Sequence, residues 1–181
     1  MKTLVESDLE LILSWRNSAA VRKSMYSDHR ISMTEHRTWF KALEKDASRH
    51  WYLFVDEKNT PNGVVYFTDI DTSKNTAFLG FYARPGARAG TGSRIGLEAL
   101  DTAFGTLQLH KLSGKVLATN SASINLFRRL GFSEDGQHRD QHFKNSVRVN
   151  VLRFRMIRDE WQSARRRLVL RIGLFEEKSA L

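Results

Sequence analysis

Gly86, Gly90 and Gly92 fall within one run, Arg84-Pro-Gly-Ala-Arg-Ala-Gly-Thr-Gly-Ser-Arg94, in a chain with only eleven glycines and two prolines. Gly90 and Gly92 let the backbone curl without a Cβ clash. The amides of Thr91, Gly92, Ser93 and Arg94 would then face an anion from the positive end of a following helix, which suits a pyrophosphate. The same residues also fit an ordinary loop in which Ser93 caps that helix. No Gly-Lys-Ser/Thr follows as in a Walker loop, and Gly90, Gly92 and Gly96 are spaced one residue too widely for the dinucleotide fingerprint.

A second group of chemically able side chains lies downstream. Ser123 carries a hydroxyl near the start of a short helix, where it is either a solvated first-turn residue or a hydrogen-bond donor. His142 stands on a strand-like segment, and an imidazole titrates in the range useful to a general base. Strand alternation puts His138, Asp140 and His142 on one face, either a polar site wall or a solvated side. Their spacing also raises a metal. With no Cys in the chain and no fourth ligand in view, no metal is expected.

The elements that must position these groups read as a mixed α/β order. Helices are predicted over 6–17 and 34–44, and hairpin strands over 51–55 and 63–70 around Lys58-Asn-Thr-Pro-Asn-Gly63. A strand over 76–83 leads into the glycine turn. The helix after Ser93 places Ile95, Leu97, Leu100, Ala103, Phe104 and Leu107 near a 3.6-residue period. A strand over 110–118 is followed by a helix capped by Asn120 or Ser121, with Ile124, Phe127 and Leu130 on one face and Gly131 as its left-handed stop. Late strands are predicted near 137–144 and 148–157.

Composition bounds the class. The chain's 181 residues, 41% hydrophobic and 27% charged, fit one globular domain with a real core. No apolar run is long enough to span a membrane, and Glu6, Asp8 and Glu10 interrupt any signal-peptide pattern, so a cytoplasmic location is expected. The absence of Cys fits a reducing compartment. The net charge of +9 comes largely from Arg148, Arg153, Arg155, Arg158, Arg165, Arg166, Arg167 and Arg171, set against Asp159 and Glu160. A solvated helix face or anionic ligands explain this basic stretch. No recognition-helix, RNP-like or zinc pattern points to nucleic acid.

The glycine turn opening a helix, followed by Asn120-x-x-Ser123-x-x-Leu126-x-x-x-Leu130-Gly131-Phe132, resembles the GCN5-related N-acetyltransferases (GNAT), which bind acetyl-coenzyme A. Trp15-Arg16-Asn17, Ile31-Ser32 with Glu35-His36 and Trp39-Phe40, the segment 63–70, Gly80-Phe81-Tyr82, His110-Lys111-Leu112, and Gly131-Phe132-Ser133-Glu134 with Arg139 and His142 extend the match. The whole pattern resembles the subfamily that acetylates the 4-amino group of a UDP-4-amino-4,6-dideoxy-N-acetyl-hexose of altrosamine type, in the pseudaminic acid route linked to flagellin glycosylation. The likeness reaches about Trp161, which implies an acetyltransferase domain over 1–161 and a basic amphipathic extension over 162–181. In that extension Leu168, Val169, Ile172 and Phe175 form an apolar stripe able to cover the sheet, pair with another subunit or lie on an anionic membrane.

The resemblance implies the GNAT (acyl-CoA N-acyltransferase) fold, an α/β architecture with a mixed, mostly antiparallel central sheet flanked by helices on both faces. It implies acetyl-CoA as co-substrate, direct transfer in a ternary complex, and a strand through Phe81 and Tyr82 that splays from its neighbour to admit the pantetheine arm. Arg88, Gly90, Thr91, Gly92 and Ser93 would hold the pyrophosphate, and Asn120, Phe127 and Arg128 the rest of the cofactor. His142 would be the base. Ser123 would serve the leaving thiolate, because Phe127 stands where many relatives have a tyrosine. Arg16, Asn17, Arg22, Tyr66 and Asp69 would hold a UDP-amino-sugar acceptor, in a possible homodimer. Two further departures are Ala87 where the pyrophosphate loop usually opens with Gln or Arg, and Asn150 where the subfamily commonly has an acid. A ribosomal-protein N-terminal alanine acetyltransferase and a non-enzymatic CoA- or RNA-binding module are the alternatives.

Overall fold

The structure, a computed structural model, describes residues 1–144 and 147–179; for 138–141 and 174–179 it describes the backbone alone. After β1 (Lys2–Thr3) and a short 3-10 turn, three helices follow: α1 (Leu9–Arg16), α2 (Ala19–Arg22) and α3 (Met33–Leu43). Strands β2 (His50–Val55), β3 (Pro61–Asp71) and β4 (Thr76–Ala83) lead into α4 (Thr91–Asp101), which ends in a π-helical turn at Thr102–Thr106. Then come β5 (Lys111–Leu117), α5 (Ser121–Leu130), β6 (Ser133–Lys144), β7 (Val147–Ile157) and α6 (Arg158–Ser179).

The seven strands form one sheet in the order β1-β2-β3-β4-β5-β7-β6. Neighbours are antiparallel except β4 and β5, which α4 connects as a parallel pair. That pair is short. Only Thr76, Ala77 and Phe78 of β4 face Lys111, Leu112 and Ser113 of β5. Beyond Phe78, β4 stays paired to β3 as far as Ala83, and β5 stays paired to β7 as far as Leu117. The sheet therefore splits into a wedge without losing either half.

Strand alternation separates two cores. On one face Leu53 and Val64 pack with Leu4, Leu9, Ile12, Trp15 and Phe40, beneath α1 and α3. On the other, Phe54, Val65 and Phe67 join Ile95, Phe127 and Phe154 beneath α4, α5 and α6. Helices thus cover both faces of a mostly antiparallel sheet, as the resemblance implied. Local signals explain the element ends. Ser32 and Glu35 close a capping box on α3, with bonds of 3.2 and 2.7 Å. Of the two candidate caps for α5, Asn120 is the one used, accepting from the Ser123 amide at 3.1 Å.

The basic tail is part of the fold. In α6, Trp161, Ala164, Leu168 and Ile172 are buried in the larger core, and each large side chain contributes about 1.5–3 kcal/mol of burial. Arg165 grips Asp101 of α4 through two bonds of 2.7 and 2.9 Å. Covering the sheet is therefore the use made of Leu168 and Ile172. Val169 is 41% exposed, and the side chain of Phe175 lies outside the described residues. None of the helices among the described residues is long and apolar enough to cross a membrane.

Several boundaries differ from the sequence expectation for physical reasons. The helix after the glycine turn begins at Thr91, capped by Gly90 at φ 87, so Ser93 lies inside the first turn and is not its cap. Strand β6 begins at Ser133 because two irregularities, between Glu134 and Gln137 and between His138 and His142, let it bend while still pairing with β7. Strict alternation across His138, Asp140 and His142 does not hold through that shift. The side chains of His138, Arg139, Asp140 and Gln141 lie outside the described residues.

Candidate functional site

The wedge between β4 and β5 opens into a cavity of about 420 Å³. Gly80, Phe81 and Tyr82 of β4 form one wall, Lys115, Val116 and Leu117 of β5 the other. Asn120, the cap of α5, closes one end together with Ser123 and Phe127 of that helix, and Arg88, Thr91 and Gly92 of the glycine turn line the mouth. Ser24, Met25 and Tyr26, from the loop between α2 and α3, reach it from the remaining side together with Tyr66. A larger neighbouring cavity of about 860 Å³ shares Arg84, Arg88 and Thr91 and adds Lys58 and Arg94, along with the acids Asp56 and Glu57.

The unpaired edge of β4 after Phe78 offers backbone groups that an extended ligand can bond as an added strand. At the turn, Thr91 donates to the Arg88 carbonyl at 3.2 Å, and Ser93 and Arg94 donate to the Gly90 carbonyl at 2.9 and 3.2 Å. Those amides are engaged within the turn itself. Ser93 is 2% exposed and its hydroxyl has no partner, so it faces the interior and not the mouth. The side-chain oxygen of Asn120 caps α5, and Arg128 is paired with Glu134 through its Nε at 2.8 Å. Phe127 is core as well as cavity wall. Its ring lies over Gly114, where any Cβ would collide with it, and it meets Phe132 and Phe154 at 4.8 and 5.1 Å.

The opposite face of the wedge is aromatic. Tyr66 lies across Gly80, whose missing side chain leaves the room, and stacks on Trp51 at 4.3 Å and 14°. Trp39 meets Trp51 edge-on at 4.6 Å, and His36 stacks on Trp39 at 4.9 Å. Burial pushes the Tyr26 phenol up to about 12 and raises those of Tyr66 and Tyr82, so all three remain donors at neutral pH. Burial also depresses His36, with Arg16 adding to the effect. Arg16 is itself held below the ordinary guanidinium value by burial, opposed by the field of Tyr82 and Tyr66. One of its nitrogens donates to the Ser27 carbonyl at 2.9 Å, while Nη1 is buried without a partner. The Lys115 ammonium sits 4.2 Å from the centre of the Phe78 ring.

The wedge brings together Phe81, Tyr82, Arg88, Thr91, Gly92, Ser123, Phe127 and Tyr66, with Gly90 capping the helix beside it. Other expected groups are engaged elsewhere. Asn17 exchanges two bonds with the Ile31 backbone, at 2.8 and 2.9 Å, and pins a loop. Arg22 pairs with Asp28 at 3.5 Å. Asp69 adopts φ 51 in the irregular part of β3 and lines none of these cavities. His142 places Nε2 2.8 Å from the Tyr26 carbonyl and is not among the lining residues. Sequence reading missed Lys115 and Tyr26 as lining residues. Alternation along β5 carried a signal for the first; Tyr26 stands in a loop that carried none. Among the described residues no group of three His, Asp or Glu side chains converges to hold a metal.

Comparison with known proteins fixes the family. The profile of the acetyltransferase (GNAT) domain matches residues 1–133. Spermidine N(1)-acetyltransferase of Escherichia coli strain K12 is 24% identical over 155 residues, 84% of this chain and 82% of that protein. An uncharacterised Methanocaldococcus jannaschii protein is 23% identical over 153 residues, of which the chain spans only 31% of the length. Among solved structures, spermidine N-acetyltransferase from Vibrio cholerae in complex with CoA and spermine superposes with a TM-score of 0.83 at 21% identity, covering 89% of this chain and 96% of that one.

These findings correct the acceptor. The relatives with a named acceptor are spermidine acetyltransferases, so the UDP-amino-sugar acceptor, the pseudaminic acid and flagellin glycosylation route, and the ribosomal-protein alternative are set aside. The two motifs that carry the family resemblance, the glycine turn and the 120–132 segment, flank the wedge and say nothing of the acceptor, and the segments that extend the match, 15–17 and 31–40 among them, did not fix it by residue type. The homodimer is set aside too, since the Vibrio cholerae enzyme has a dodecameric structure. A CoA- or RNA-binding module without activity also gives way to the family match. Since that profile covers residues 1–133 and the sheet opens into the wedge, the chain belongs to the acetyltransferase (GNAT) family, enzymes that use acetyl-CoA as co-substrate.

Proposed function

We propose that the chain transfers acetyl from acetyl-CoA to the primary amino group of a small aliphatic amine in the cytoplasm, of the polyamine class on which its spermidine-acetylating relatives act. The observation that carries this reading is the wedge: a strand edge free after Phe78, beside a glycine turn, with an aromatic chamber on the far face. Backbone groups of Phe81 and Tyr82 would take the pantetheine arm as an added strand. Arg84 and Arg88, with Thr91 and Gly92, line the mouth and would take the phosphates. Acetyl-CoA supplies an activated thioester. The protein's own work is to align a neutral amine with it and to supply hydrogen-bond donors.

Ser123 is the hydroxyl that lines the wedge from α5, and we assign it the hydrogen bond to the departing sulfur, since Phe127 has none to give. Tyr66 and Tyr82, both in the wedge lining, would orient the amine. A second reading follows from one observation. Arg16 and Lys115 put positive charge around this face, which favours an amine whose other end is acidic.

The test is thiol release from acetyl-CoA with spermidine, spermine, putrescine, 4-aminobutanoate and a blank without acceptor. Polyamine turnover above the blank is expected. Turnover of 4-aminobutanoate in preference to all polyamines moves the acceptor to the second reading, and no release with any amine overturns both.

A further inference from the structure

The loop over residues 23–32, between α2 and α3, brings Ser24, Met25 and Tyr26 to the cavity wall. From below, α1 holds it: Arg16 donates to the Ser27 carbonyl at 2.9 Å, and Asn17 grips Ile31. From above, the loop is held by the end of β6. His142 Nε2 lies 2.8 Å from the Tyr26 carbonyl, 116 residues away in sequence. Lys144 Nζ donates to the Lys23 and Met25 carbonyls at 2.7 and 2.6 Å. The Tyr26 and His142 rings meet edge to face, with centres 4.9 Å apart.

A carbonyl oxygen only accepts, so the hydrogen of this bond sits on Nε2 and the lone pair of the neutral ring sits on Nδ1. The strand end is not part of a core, since Phe143 is 67% and Val147 61% exposed. An imidazole and an ammonium there are not required by packing. They supply three donors to the carbonyls of Lys23, Met25 and Tyr26 on one loop, at the point where that loop turns its side chains into the cavity.

We propose that His142 and Lys144 are positioning residues: together they clamp the 23–32 loop and fix where Met25 and Tyr26 stand against the acceptor, with His142 acting as an N–H donor and not as the base. The kinetic consequence rests on the acetyltransferase reading above; the clamp itself does not. Trypsin can cut this loop after Arg22, Lys23 and Arg30, which gives a readout that needs no acceptor.

In limited trypsin digestion of the full chain, His142→Ala and Lys144→Met should be cut within 22–30 about tenfold faster than the parent. His142→Gln, which keeps a side-chain N–H of similar reach, should be cut at close to the parent rate. In thiol release with spermidine and with 4-aminobutanoate, His142→Ala should raise the KM of the amine about tenfold while kcat falls less than about threefold. His142→Gln should restore KM and keep the shape of the pH profile of kcat/KM. Equal trypsin rates in all variants would overturn the clamp. So would a His142→Gln enzyme that folds and resists trypsin but has lost kcat together with one limb of the pH profile. If neither amine is turned over, the function proposed above fails, and the trypsin rates still decide the clamp.

Discussion

Gly80→Ala is the sharpest perturbation of the chamber. A methyl group at this position would overlap Cε2, Cζ and the hydroxyl of Tyr66, so the ring would have to move by roughly 1.5 Å to reach ordinary contact. It has nowhere easy to go. Trp51 stacks on its far side at 4.3 Å, and Trp39 backs Trp51 at 4.6 Å. Overpacking costs about 1–3 kcal/mol and a disrupted aromatic pair about 0.5–1.5 kcal/mol, giving a loss of about 2–4 kcal/mol. For a chain of this size the melting temperature should fall by roughly 5–15 °C. Displacing a substrate-orienting group by more than about 1 Å should lower kcat/KM for the amine about 100-fold, while acetyl-CoA affinity changes less than about threefold. Calorimetric melting, thiol-release kinetics and acetyl-CoA titration measure the three quantities. Gly80→Ala combined with Tyr66→Leu should recover most of the stability and none of the rate. A Gly80→Ala protein that melts normally and turns over normally would refute the placement of Tyr66, and a double variant that regains the rate would refute its role.

Two further outcomes follow from the packing and from buried charge. Leu168→Ala removes a side chain 3% exposed from the core under α6 and should cost about 2–5 kcal/mol in denaturant unfolding, which would show the basic tail to be integral. His36 is held below its ordinary value of 6.5 chiefly by burial, so the unfolded chain takes up a proton that the folded chain refuses. Stability should therefore fall as pH drops below about 6.5 and level off above it, and His36→Phe should flatten that slope in urea titrations at pH 5 to 7.

The cofactor half was legible because its signals are local. The strand at Thr76–Ala83 was read at its observed bounds, and Asn120 and Gly131 mark the ends of α5 by capping chemistry that depends on neighbours a few residues away. The acceptor half was not legible in the same way. The aromatic face is assembled by register, Trp51 opposite Tyr66 and Tyr66 opposite Gly80, and by a loop held from a strand more than a hundred residues later. Arg22 and Asp69 looked like ligand groups because charge was all the sequence showed of them. The structure pairs the first with Asp28 and turns the second out of the cavities. His142 was read for its titration, whereas its geometry speaks of a donor to a carbonyl.

Helix α6 also bears on how the chain comes to be folded as it is made. Trp161, Leu168 and Ile172 complete a core whose other members include Ile95, Leu100 and Leu130, on the helices that flank the wedge. During synthesis those apolar faces of α4 and α5 must wait, uncovered, until the segment after Ile157 has left the ribosome. A nascent chain in which β7 has just cleared the ribosome would carry every strand of the sheet and an exposed sticky flank, and would be a target for chaperones at that stage of elongation.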